Sequence, residues 1–464
     1  MNEIETDYLI VGAGASAMAF VDSLITETDA DVVMLDRHHA PGGHWLDAYP
    51  FVRIHQASAT YGVNSRPLGR ETIDTTGHNA GLYECTNALE ICNYFERVME
   101  ETLLPSGQVR FFCKTDYVGN WENEHAFVSL ISGKRSRVRV RKRIVDTTHL
   151  RVTVPATHTP GFSVDSDVRF MPVGGLVDIN EAPSGYNIIG GGKTAMDAVI
   201  WLLEQGEDPE RIQWIRPRDS WLNDRKTLQP LDLVTNSVEG FSWCIEAVAQ
   251  ATSVDDLFDR VVAKKQLFPM SDAVKPTMYK GAILNDYERD QLKRIERIVR
   301  QGRVRHIGSE RVLMEQGELP TDSNQVHVDC SASGFRSAPL VPIFQPGKMV
   351  LQSLIGGFTT YNAALVAFIE STARSDEEKN RLCPPVAQIV APLDWIRMIR
   401  GVMQSSMLHA PEEDISEWQS QARLNLTKDL GKHLDEPRMQ AALDRWQEHT
   451  EGALQNSERL LTAG

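Results

Sequence analysis

Apolar and polar positions follow two rhythms along this chain. Residues 8–11 form a short apolar run that stops at Gly12; beyond GAGASA the positions Met18, Phe20, Val21 and Leu24 recur at helical spacing, and a second run, 32–35, closes at Asp36. Strand, glycine turn, helix and strand in that order predict a βαβ unit. The grammar returns once: 186–189 reads as a strand, 190–192 as a turn, 195–203 as a helix stopped by Gly206, and 212–215 as another strand. Between the units, 90–101 has the spacing of an amphipathic helix, and 109–113, 127–131 and 138–145 predict an antiparallel meander within the first unit. From 221 to about 303 the pattern is helical with few strand signals. Its charged run DYERDQLKRIERIVRQ reads as a solvated helix face, so this stretch is expected to be an inserted helical cap. The runs 325–330 and 351–355 predict strands returning to the first sheet, and GGFTTYNAALVAFIE opens a helix from about Asn362. Beyond Ser375 the chain is helical and polar, with apolar positions such as Trp395, Ile399 and Trp446 that suit packing support. The expected fold is α/β, with two Rossmann-like dinucleotide-binding units, a helical insertion and a helical C-terminal tail. The first unit takes 1–155 and 326–372, the second 156–325 with its insertion at about 221–303, and the tail 373–464.

Composition narrows the function. Of 464 residues, 48 are Lys or Arg and 63 Asp or Glu, and the net charge of −15 repels phosphate backbones and anionic membranes. Six cysteines are too few and too scattered for a disulfide framework, which points to a reducing, cytoplasmic setting. No basic segment precedes the first apolar run, and no stretch reaches the length of a membrane span. A homodimer is the default expectation for a soluble oligomer.

The first glycine turn carries Gly12, Gly14 and Ala17. The first glycine permits the tight turn, the second lets backbone amides approach a pyrophosphate, and the small third residue lets helix pack on strand. Asp36, at the end of the next strand, can accept both ribose hydroxyls and repels a 2′-phosphate, so the ligand expected is FAD or NAD rather than NADP. The competing reading of Asp36 is an ordinary surface or capping aspartate. The second turn carries Gly190, Gly192 and Ala195 in NIIGGGKTAMDA, with Lys193 and Thr194 at the helix start. A P-loop would need glycine where Asn187 stands. After the following strand, WIRPRDSW places Arg216 and Arg218 where a 2′-phosphate would sit; the competing reading pairs them with Asp219 or Asp224. An acid in one unit and arginines in the other predict two different dinucleotides, a flavin one and NADPH.

Beside the first turn stands RHHAPGGHW, residues 37–45. Its Gly42, Gly43 and Trp45 resemble the GGTW element of class B flavin monooxygenases, with His44 in place of threonine. IVDTTH around Asp146 and VDCSASGF up to Gly334 resemble the linkers that join the FAD and NADPH units there. The resemblance spans about residues 5–370 and implies that Arg37, Gly42, Gly43, His44, Trp45 and Gly334 belong to the cofactor sites. It also implies the activity: NADPH reduces FAD, oxygen adds at flavin C4a, and the resulting peroxide oxygenates a small molecule. Asn64 in YGVNSRP resembles the flavin-proximal asparagine of N- and S-oxidising relatives. His55 and Gln56 would lie on the flavin side, where a histidine suits proton relay. The fingerprint FxGxxxHxxxW is absent, and RFMPVGGLVDINEAPSGYN occupies its place, which argues against a Baeyer-Villiger enzyme.

The remaining chemistry is excluded by pattern. His38, His39 and His44 lack carboxylate or cysteine partners at metal-binding spacing. No CxxC or CxxxxC serves a disulfide reductase, and no GxSxG serves a hydrolase. Three expectations stay open: a monooxygenase acting with O2 on a small-molecule substrate, an NADPH-dependent flavin oxidase or dehydrogenase, and a non-catalytic redox sensor.

Overall fold

Leu9 and Ile10 are fully buried because the strand Asn2–Val11 lies inside a sheet with a parallel neighbour on each side, Val32–Leu35 and Arg135–Asp146. The computed structural model of the protein describes residues 2–335 and 338–463. Val11 is level with both Leu35 and Asp146, so three strands end together and the loops that follow them meet at one edge. Helix α1 (Ala15–Glu27) starts at Gly14 with no side-chain cap. Helix α2 (Ala88–Val98) starts on a reciprocal Asn87–Glu90 cap, which fixes its first turn, and runs into a π turn, Met99–Leu103. The strand Val109–Phe112 pairs parallel to Val32–Leu35 and extends the sheet. It is therefore not part of the expected meander, which consists of Thr115–Tyr117, His125–Ser129 and Arg135–Asp146.

The second glycine turn sits on its own parallel sheet, in the order Ile298–Val299, Ile212–Ile215, Gly185–Ile189, Gln325–Asp329 and Phe170–Pro172. Helix α3 (Lys193–Glu204) follows the turn, again starting on an uncapped glycine, Gly192. The strand Gln325–Asp329 belongs here, beside Gly185–Ile189, and does not return to the first sheet as expected. Its alternation of polar and apolar residues marks a strand, yet His327 and Asp329 are buried along with the valines, so the pattern does not say which sheet it joins.

The inserted stretch is less helical than expected. Ser220–Asp224, Leu267–Phe268 and Met278–Leu284 form a three-stranded sheet with α4 (Val234–Gln250) and α5 (Val254–Ala263) packed against it. The charged run is helical only over α6 (Asp286–Lys293). The chain then returns to the first sheet at Phe344–Gln345 and Lys348–Val350 and enters α7 (Thr359–Ser371), which packs along α1. In the tail, α8 (Asp376–Leu382), α9 (Pro392–His409), α10 (Glu413–Gln421) and α11 (Pro437–Ala463) follow. Their role exceeds support: α11 lies along α4, and α9 sends Trp395, Ile396 and Ile399 into the core of the inserted unit. Among the described residues no helix is long and apolar enough to cross a membrane.

Candidate functional site

The loops at the carboxyl edge of the first sheet enclose a cavity of about 750 Å³, within the range of a ligand site. Gly12 has φ +111°, and a Cβ there would come 2.3 Å from Thr147 Oγ1, so the turn is closed by the linker after the third strand. Gly43 approaches Gly14 so closely that a Cβ on it would lie 2.8 Å from Gly14 Cα, and Gly42 N–H donates to Ala13 O at 2.9 Å. The two glycine motifs of the first unit are thus one packed object, with Ala17 buried beneath it.

Asp36 lines this cavity at the end of Val32–Leu35. Burial opposes its charge, but hydrogen bonds from the His38 ring, the His38 N–H and the Ala13 N–H outweigh burial and hold the carboxyl below its ordinary range. His38 bridges two carboxylates, Nδ1 to Asp36 Oδ1 and Nε2 to Asp47 Oδ2, both at 2.9 Å. Its bond to Asp36, against partial burial and with help from Asp47, raises it to about 9, so it is an imidazolium donating from both nitrogens at neutral pH. Considered in the sequence only as a metal ligand, His38 is a carboxylate clamp. His44 behaves oppositely: burial lowers it to about 4, and it stacks on Trp45 at 5.2 Å, whose Nε1 donates to Tyr61 Oη at 2.8 Å. Arg37 stands at the mouth, 3.7 Å from Asp116. Gly334 pairs with Thr153 and precedes Phe335, which lines the cavity.

At the second turn, a Cβ on Gly190 (φ +139°) would come 2.4 Å from Cys330 O, repeating the closure seen at Gly12, whereas a Cβ on Gly192 would meet nothing within 4 Å. The turn is therefore open at the start of α3. The cations are placed differently from expectation. Lys193 turns inward to Asp197 and to Glu288 at 3.4 Å; burial opposes its charge, but the two carboxylates keep it above the usual ammonium range. Thr194 lies half-buried beside Tyr49, whose hydroxyl donates to Asp197 at 2.6 Å. Arg216 is 3% exposed, lies over the Trp214 ring at 4.6 Å and faces Asp219, and burial lowers it to about 10. It points into the protein, not toward a ligand. Arg218 alone of the predicted cations is exposed. Two further cations join it: Lys280, whose Nζ donates to Ser333 O at 3.2 Å, and Arg303. Burial, then the fields of Arg218 and Arg303, depress Lys280 below its ordinary range. Nothing in the sequence spacing marks Lys280 or Arg303, which come from the inserted sheet and from the loop between Ile298–Val299 and Val304–Ile307.

His55, Gln56 and Asn64 part company. His55 Nδ1 accepts from the Ile283 N–H at 3.1 Å, which leaves its proton on Nε2; burial, then Lys193 and Arg225, lower it to about 3, so it is neutral. Gln56 donates to Thr60 Oγ1 at 3.1 Å and lines a second cavity of about 80 Å³ between the inserted unit, α9 and the turn at 355–358. Asn64 is not among the residues lining either cavity; it donates to Ser23 Oγ at 3.3 Å and accepts from the Leu424 N–H at 3.1 Å. It braces α1 against the tail, and Arg423 of the tail holds the loop at 59–63 by donating to the carbonyls of Ala59, Tyr61 and Val63.

Both glycine turns carry groups that suit a dinucleotide. The first offers an uncapped helix start for a pyrophosphate and a buried carboxylate for a ribose; the second offers an open glycine start and three clustered cations.

No family model matches the chain. It is 41% identical over 433 residues to the uncharacterized proteins Rv2000 of Mycobacterium tuberculosis and Mb2023 of Mycobacterium bovis, covering 92% of this chain and 79% of each relative. Among solved structures, the polycyclic ketone monooxygenase of the thermophilic fungus Thermothelomyces thermophila is similar with a TM-score of 0.51 over 98% of this chain and 90% of that one, at 12% identity. That likeness shows the fold.

Proposed function

The chain belongs to the family of the mycobacterial proteins Rv2000 and Mb2023, and from that premise we propose that it is an FAD-dependent, NADPH-consuming oxidoreductase that oxygenates a small molecule. One observation carries the reading: two glycine turns, each at the carboxyl edge of a parallel sheet, have opposite polarity, with Asp36 at the first and Arg218, Lys280 and Arg303 at the second. The fungal monooxygenase with the same fold supports it.

In this assignment Gly12, Gly14, Ala17, Gly42, Gly43, His44 and Trp45 hold FAD, with Asp36 accepting from ribose hydroxyls. Gly190, Gly192, Thr194 and Arg218, with Lys280 and Arg303, hold NADPH. Lys193 and Arg216 stay out of that contact, since each already faces a carboxylate. In this assignment the return to the FAD unit begins after Cys330 rather than at 326, a division that the pairing of Gln325–Asp329 with Gly185–Ile189 supports. Bound flavin supplies hydride acceptance and oxygen activation. The chain supplies the rest: helix starts that suit phosphates, a neutral His55 whose Nε2–H can donate a hydrogen bond, and a cavity without charged lining beside Gln56.

The test is optical and chemical. Purified protein should be yellow, bleach with NADPH without air, recover with air, and yield an oxygenated product. Colourless protein with no affinity for FAD would end the proposal. The segment at 170–186, which forms the strand Phe170–Pro172 and a 3₁₀ turn, lacks the monooxygenase fingerprint and favours a second reading, an NADPH oxidase. Peroxide formed in a one-to-one ratio with NADPH, with no oxygenated product, would select it.

A further inference from the structure

The smaller cavity has a wall with a consistent chemistry. Among the described residues that line it there is no Asp, Glu, Lys, Arg or His. Its polar members are amides, hydroxyls and one thiol, and these are engaged: Tyr279 Oη donates to Asn223 Oδ1 at 3.1 Å, and Thr227 Oγ1 donates to Asp224 O at 2.8 Å. The thiol, Cys244, is pushed up to about 12 by burial and stays neutral. An ammonium or carboxylate in this space would lose its hydration with no counter-charge to replace it.

One side of the wall is a helical stripe. Trp395, Met398, Ile399 and Val402 lie on one face of α9 at the i, i+3, i+4, i+7 spacing. Met398 rests on the turn at 355–358, where a Cβ on Gly356 would lie 2.7 Å from Met398 Sδ. That turn matters because the chain just before and after it, Gln352, Ser353 and Thr359, lines the larger cavity. The linings of the two cavities thus follow one another along residues 351–359. The smaller one, about 80 Å³, falls below the roughly 150 Å³ of an apolar cavity that holds benzene.

Resting on the function proposed above, we propose that the substrate is an uncharged, mainly apolar molecule smaller than a benzene ring, held in this cavity, and that Met398 of the tail helix sets its size limit.

Saturation-transfer NMR on the full-length protein as purified, with no NADPH, tests this using dimethyl sulfide, thioanisole and ethylammonium as probes. Dimethyl sulfide should receive saturation, while ethylammonium, of equal heavy-atom count but charged, and the larger thioanisole should not. Met398→Ala should admit thioanisole, raising its affinity at least about tenfold. The proposal falls if dimethyl sulfide receives nothing, if ethylammonium competes with it, or if thioanisole binds wild type and variant alike. Should Met398→Ala fail to fold, Val402→Phe, from the same stripe, is expected to abolish the dimethyl sulfide signal, and an unchanged signal would overturn the assignment. Anaerobic bleaching by NADPH in the same preparations reads the cofactor assignment separately: bleaching without dimethyl sulfide transfer sinks only this inference, and transfer without bleaching sinks only the redox reading.

Discussion

His38 shows how much one residue adds to a motif. Its imidazolium joins Asp36, at the proposed ribose contact, to Asp47 in the GGHW turn. Because its pKa rises from 6.5 to about 9 on folding, its contribution is complete below pH 6.5, shrinks above it and is gone once pH passes about 9. Flavin retention and melting temperature should therefore decline between pH 6.5 and 9 in the wild type, and His38→Asn should flatten that decline; parallel melts across the range check it. At the second turn, Lys280→Glu should raise the KM for NADPH on the order of tenfold while leaving NADH nearly unchanged, since only the former carries a 2′-phosphate. Steady-state kinetics with both nucleotides decides this. The glycines and Asp36 were readable from the sequence because strand, turn and helix are contiguous there. Lys280 and Arg303 were not, because folding, not spacing, brings them to the turn.

Helices that follow a glycine turn were read more easily than strands buried along their whole length. α1 and α3 declare themselves by helical period after the turn, whereas Gln325–Asp329 alternates and yet is buried almost throughout, and neither it nor Ser220–Asp224 carries a signal that names its sheet. Helix α7 illustrates what secures an element once placed. Its Glu370, almost fully buried, accepts from Tyr8 Oη at 2.9 Å and pairs with Arg143 at 2.9 Å and Lys379 at 2.8 Å. Burial, then Glu370, holds the Tyr8 hydroxyl protonated far above its usual range. Glu370→Ala strands two partly compensated cations against the first sheet and should cost about 3–5 kcal/mol, measured by urea unfolding.

At the scale of the molecule, three parts meet on a chain of buried charges. Tyr49 from the first unit bonds Asp197 on α3, Asp197 pairs with Lys193, and Lys193 and Arg225 share Glu288 on α6, with Arg225 at 2.7 Å. Arg225 also donates to His55 O at 3.0 Å, so the same junction holds the backbone of His55. The sequence displayed Glu288 only as one acid in a charged helix, because its partners lie on other elements. Glu288→Ala should lower stability by about 3 kcal/mol and expose the segments at 147–155 and 330–335 to limited proteolysis. Unchanged cleavage with a lowered melting point would confine its role to local packing.

The segment shared by the two cavities has an optical consequence. A guest in the smaller chamber lies against the turn around Gly356, and the flanks of that turn border the space assigned to a coloured ring. Occupancy should then tint the visible spectrum, giving the protein an intrinsic gauge of its own guest.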